Sequence, residues 1–129
     1  ATVVGRALAL HPSREPLHIL ANLGGFEIGT MAGFIIAASE IGLPVVVDGF
    51  ISSAAALVAV KLNPEALETA FFSHRSAEPG HHAMLQAVGA TPPLDLRLRL
   101  GEGSGAALMI NLIETSLRIY LEMATFADL

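Results

Sequence analysis

Leu43 to Leu62 read LPVVVDGFISSAAALVAVKL, and the stretch changes character once, at Asp48-Gly49. Before the break, Val45 to Val47 form a β-branched run with no polar alternation. Such a run suits a parallel strand covered on both faces, since an exposed face would call for alternation. After the break, ISSAAALVAVKL is long and alanine-rich enough for a helix, with Ser52 or Ser53 as the expected N-cap. Strand, turn and helix in this order form the repeating unit of α/β proteins.

Working outward toward the N-terminus, Phe26 to Ile41 is apolar widely enough to be buried nearly all round. Gly29, Ala32, Gly33, Ala37 and Ala38 thin this helix so that another element can approach. Gly42 stands just past its last turn, where a left-handed cap is wanted. Gly24-Gly25 separates it from a shorter helix, Pro16 to Leu23, which follows the loop HPSRE.

Toward the C-terminus, Pro64 opens a short helix, and Phe71-Phe72 read as a second strand ending in the polar loop SHRSAEPG. Gly80 to Val88 reads as a helix closed by Gly89. Thr91 to Leu100 is extended and proline-punctuated, and Ser104 to Leu121 is the last long helix. Glu114, Arg118 and Glu122 fall four apart on it and read as a solvated face. The expectation is an α/β fold with a Rossmann-like parallel sheet flanked by helices. Two strands are too few for a complete doubly wound sheet, so the chain is expected to supply only part of it.

Composition narrows the function. With 129 residues the chain is one domain or part of one. A 53% hydrophobic content excludes disorder. A net charge of -5 disfavours nucleic acid or an anionic membrane as the main partner. There is no cysteine, so disulfides and thiolate metal sites are excluded. Ile28 to Ser39, between Glu27 and Glu40, falls short of the roughly 20 apolar residues that span a bilayer. No signal-peptide pattern is visible, and a cytoplasmic location is expected. The sequence opens without Met, as a cut or processed chain would.

Three loops stand after a strand end or before a helix, where α/β proteins keep their ligands. They are Asp48-Gly49, Ser73 to Gly80, and Arg99 to Gly105. In the last, LRLGEGSGAAL, Glu102 sits between Gly101 and Gly103. Two readings are open. Gly101, Gly103 and Gly105 with the cation of Arg99 would make a phosphate cradle, though no Lys-Ser/Thr pair follows as in a P-loop. Alternatively the loop is a Gly-rich turn whose acid favours the helix dipole. In the second loop, His74, Arg75, Ser76, Glu78, His81 and His82 cluster. Their spacing matches no established zinc pattern, and no metal is expected. Ser76 lacks the setting of a nucleophile and suits phosphate binding better. Asp48 is a turn former, or it holds ribose hydroxyls, or it orders the site. Glu27 opens a helix, where an acid is favoured without further role.

Taken together, GGFEIGTMAGFIIAA, PVVVDGFISSAAAL, HRSAEPGH, LRLGEGSGAAL and the terminal MATF resemble the nicotinate-nucleotide–dimethylbenzimidazole phosphoribosyltransferases of cobalamin biosynthesis. The blocks follow the family's order and spacing over nearly the whole chain. Family members are longer, and residues 1–129 look like the C-terminal portion of their single α/β domain. The resemblance implies transfer of phosphoribose from nicotinate mononucleotide to 5,6-dimethylbenzimidazole, without a cofactor, in a homodimer. It makes Glu102 the general base. Ser76, Arg99 and Gly101 fall at the nucleotide, Leu100 at the base, and Gly49 near the ribose phosphate, with Asp48 beside it; Gly103 and Gly105 are expected to bind substrate as part of the glycine cradle. Arg97 and Met109-Ile110-Asn111 depart from the family's pattern. A non-catalytic nucleotide-binding domain of the same fold is the competing reading, and residues 1–129 alone are expected to be inactive.

Overall fold

The computed structural model describes residues 2–126. The sequence reading places no element before Pro16, yet Val3–Leu10 form a helix, α1. Thr2 starts it, its hydroxyl accepting the Gly5 N–H at 3.3 Å. The second helix, α2, spans Pro16–Leu23 as expected, with Pro16 in the first turn, where a missing N–H is harmless. Helix α3 spans Phe26–Glu40, and Gly42 takes the left-handed conformation just beyond it, at φ +67°.

All-round burial of α3 is not found. Ala32, Ile35 and Ala38 are buried, whereas Phe26 is 97% exposed and Phe34 also faces outward. One side of the helix packs on the next helix, α4 (Phe50–Leu62), and the turn after it, while Phe26 and Phe34 lie exposed on the other. The close approach therefore uses Ala32 against the alanine face of α4. Gly33 has open space where a side chain would project.

The strand β1 (Val45–Val47) leads through Gly49 into α4 (Phe50–Leu62). The N-cap is Gly49, not Ser52 or Ser53. Ser52 lies in the first turn, where its hydroxyl accepts the Gly49 N–H at 3.0 Å, which lets the helix start earlier than the serines suggest. A 3-10 turn, Pro64–Leu67, then feeds β2 (Ala70–Phe72). The two strands are parallel, with Val45, Val46 and Val47 opposite Ala70, Phe71 and Phe72. A parallel pair needs a long crossover, and α4 is that crossover. Val47 is buried, while Val45 and Val46 are only partly covered. Ala55, Ala56 and Ala59 of α4, Ala66 and Phe72 join Ala32, Ile35 and Val47 in one core. Small side chains let the helices lie close, as the scarcity of aromatics requires.

Beyond β2 the chain forms α5 (His81–Val88), held between Gly80 and Gly89, both left-handed. Residues 91–100 form no regular element, and the expected extended run is interrupted at Arg97, which is left-handed at φ +53°. They run parallel beside the loop after β2, bridging Leu94 to His74, with Leu98 O accepting from Ala77 N at 3.0 Å. The last helix, α6, spans Ser104–Glu122, and Glu114, Arg118 and Glu122 are exposed on it. The architecture is α/β, a small parallel sheet with helices around it. No helix among the described residues is long and apolar enough to cross a membrane.

Candidate active site

The ends of β1 and β2 and the start of α6 meet at one cleft of about 580 Å³. Asp48 and Gly49 come from the end of β1, His74, Ser76 and Glu78 from the loop after β2, and Arg99 to Gly103 from the approach to α6. All three loops singled out in the sequence thus converge. Of the expected site residues, Asp48, Gly49, Ser76, Arg99, Leu100, Gly101, Glu102 and Gly103 line the cleft. Glu27 does not.

Gly105 is the exception. It is buried against His74 and Asp48, and a side-chain carbon there would collide with the His74 ring and approach the Asp48 carboxylate to 2.9 Å. Its glycine is needed for packing behind the cleft.

The geometry of Glu102 follows from its neighbours. Gly101, Glu102 and Gly103 have φ values of +77°, +56° and +74°. This left-handed run turns the chain sharply into α6, and glycine enters such backbone freely whereas glutamate does so at a cost of roughly 1–2 kcal/mol. The carboxylate is exposed at the cleft, with the N-terminus of α6 immediately behind it.

Gly103 is the N-cap of α6 and has no side-chain oxygen with which to cap. Asp48 supplies one from the end of β1: its Oδ1 accepts the Ala106 N–H at 2.9 Å. Ser73 locks the same corner, donating its hydroxyl to the Asp48 carbonyl at 2.7 Å. Since that proton is spent, His74 Nδ1, at 3.0 Å from the Ser73 hydroxyl, must be the donor in their hydrogen bond. Of the three roles open to Asp48, the structure carries the ordering one.

Arg99 is not a bare cation. Its Nε lies 3.7 Å from Glu78 Oε1, with the two side chains 74% and 40% exposed. An exposed pair of this kind is worth only about 0–1 kcal/mol, so an arriving phosphate could displace the carboxylate. The Ser76 hydroxyl donates to Leu98 O at 3.3 Å and accepts the Glu78 N–H at 3.2 Å, tying the second loop to the wall that carries Arg99. On the opposite side, Gly49 to Ser52 present the first turn of α4. The first intrahelical bond there runs from Ser53 N to Gly49 O. The amides of Phe50, Ile51 and Ser52 therefore lack intrahelical acceptors and favour an anion.

Met31, Phe50, Ile51, Ser52, His74 and Glu78 also line the cleft, and the sequence does not assign them to it. Phe50 to Ser52 could have been found, because they follow a strand-end turn and open a helix. Met31 projects from the middle of α3, and nothing local in the sequence marks it. Arg75 and His82 face a separate cavity with Asp95, and His81 is buried in hydrogen bonds. The histidine-rich loop therefore does not converge on a common point.

A phosphoribosyltransferase family model matches residues 1–129. A nicotinate-nucleotide–dimethylbenzimidazole phosphoribosyltransferase of Azotobacter vinelandii is 57% identical over 128 residues, which are 98% of this chain and 36% of that protein. The Chlorobaculum parvum protein of the same name is 58% identical over 113 residues, 88% of this chain and 32% of its own. The chain thus spans about a third of the length of the curated relatives it matches. Among solved structures, the crystal structure of the same transferase from Thermus thermophilus superposes with a TM-score of 0.87 at 48% identity. The match covers 97% of this chain and 38% of that one.

Proposed function

The chain belongs to the phosphoribosyltransferase family of the nicotinate-nucleotide–dimethylbenzimidazole enzymes, and from that premise we propose that its cleft transfers phosphoribose from nicotinate mononucleotide to 5,6-dimethylbenzimidazole. The products are α-ribazole 5′-phosphate and nicotinate. The observation that carries this reading is the isolated carboxylate of Glu102, held by a left-handed turn at the mouth of the cleft.

In the proposed step, one ring nitrogen of the benzimidazole forms a bond to C1′ of the ribose. The bond from C1′ to the nicotinate nitrogen breaks, and its electron pair neutralises the pyridinium. Attack from the opposite face converts the β-nucleotide to an α-riboside. As the new bond forms, the N–H on the other benzimidazole nitrogen becomes acidic, and Glu102 takes that proton. A positioned base of this kind contributes about 10² to 10⁴ in rate. The glycines on either side leave room for a flat ring beside the acid. Leu100 offers that ring an apolar contact, while Arg99, Ser76, Gly49, Gly101 and Gly103 are proposed to hold the nucleotide.

A homodimer and a cytoplasmic location belong to the same proposal, on the resemblance alone. The test is to incubate the full natural chain with both substrates and follow nicotinate release. Release that depends on dimethylbenzimidazole supports the reading. Hydrolysis of the nucleotide alone, or no release, refutes it.

A further inference from the structure

His81 has no part in the chemistry above, yet it is fully buried at the first position of α5 with both ring nitrogens engaged. Nδ1 accepts the Ser76 backbone N–H at 2.8 Å, so it carries no proton. The proton of the neutral ring therefore sits on Nε2, which donates to the Ser53 hydroxyl at 2.8 Å. An imidazolium would set N–H against N–H at Ser76. Phe50 stands edge-on to the ring at 6.4 Å, and the His74 ring lies 6.3 Å away. Burial first, and then the neighbouring His74, lower the pKa of His81 and favour the neutral form.

The residue it grips is the hub of one wall. Ser76 reaches Leu98 O and the Glu78 N–H through its hydroxyl, and Arg99 and Leu100 follow directly on Leu98. We infer that His81 is a positioning residue for the nucleotide: in its neutral Nε2–H form it holds the Ser76 backbone and, through it, the wall that presents Arg99. The identity of the nucleotide rests on the transferase reading, whereas the strut itself does not.

Two substitutions separate the roles of the two nitrogens. His81→Asn keeps an acceptor near the position of Nδ1, and His81→Gln keeps a donor near Nε2 while removing that acceptor. In the full natural chain, hydrogen exchange at the Ser76 amide and the affinity for nicotinate mononucleotide are measured for both variants and the wild type. The Asn variant should stay close to wild type in both. The Gln variant should lose protection at Ser76 and bind the nucleotide about tenfold more weakly, the scale of one lost hydrogen bond, with the KM for dimethylbenzimidazole unchanged. Intact Ser76 protection in the Gln variant, or equal losses in both variants, would overturn the assignment. If the wild type binds no nicotinate mononucleotide, the transferase reading fails, and Ser76 exchange alone decides on His81.

Discussion

Glu102 is legible in the sequence as an acid with glycine on either side, and the structure adds the reason for that isolation. All three residues from Gly101 to Gly103 have positive φ, so a Cβ at either flanking position would add strain to a turn that already carries one non-glycine residue. The ion pair of Arg99 with Glu78 was not legible, because it joins two loops whose approach depends on the strand register. That pairing shapes a prediction. Arg99→Ala should weaken binding of nicotinate mononucleotide about tenfold or more, since a charge-assisted contact to phosphate is lost. The dephosphorylated nucleoside should bind the variant and the wild type alike. Equal losses for both ligands, measured by titration calorimetry, would remove Arg99 from the phosphate.

Most elements declare themselves through their breakers: Gly24-Gly25, Gly42, Pro64 and Gly89 fall at or next to observed ends. Helix α1 was hidden because it is only eight residues long and opens on two β-branched residues and a glycine, which mask the helix-forming RALAL that follows. Contacts between elements were less legible still. The cap of α6 comes from Asp48, 58 residues before the amide it accepts, and no local pattern encodes that. Asp48→Ala should destabilise the protein by about 0.5–2 kcal/mol, the usual cost of a lost cap, and lower turnover with it by loosening the Glu102 turn. Asp48→Asn retains an acceptor and should recover most of both. Denaturant unfolding with parallel rate measurements decides, and an Asn variant as impaired as Ala would mean that the charge matters in its own right. His81 joins α4, α5 and the Ser76 loop, and its lowered pKa has a definite sign for stability. The unfolded chain, with an ordinary imidazole near pH 6.5, binds the proton more readily than the native state. This contribution to stability is therefore complete above about pH 6.5 and is lost as pH falls from there toward the native pKa. Unfolding free energies across that window should decline in the wild type, and the decline should be shallower in His81→Asn. Identical slopes would contradict the neutral strut.

Across the molecule, the core is concentrated between α3, α4, α5 and the two strands, while many apolar side chains of α1 and α6 face outward. Val3, Val4 and Leu10 on α1, and Leu117, Ile119 and Leu121 on α6, are exposed, as are Phe26 and Phe34 on α3. Surfaces of this kind associate in water, and β1 and β2 form a sheet of only two short strands. A polypeptide of residues 1–129 expressed alone should therefore self-associate and show no transferase activity. A sedimentation mass of one chain with a cooperative unfolding transition would contradict this. The fold's central unit was readable because one continuous β-branched run followed by an alanine-rich helix admits few arrangements. The partial exposure of α3 was not readable, because periodicity reports which faces are apolar and not what covers them. The central claim is that Glu102 removes the benzimidazole proton in this cleft. Its most direct measurement is the rate of nicotinate release by the full natural chain carrying Glu102→Gln, with both substrates saturating. Release should fall by at least about 10²-fold while the affinity for nicotinate mononucleotide stays near that of the wild type. A variant that turns over at nearly the wild-type rate would contradict the claim.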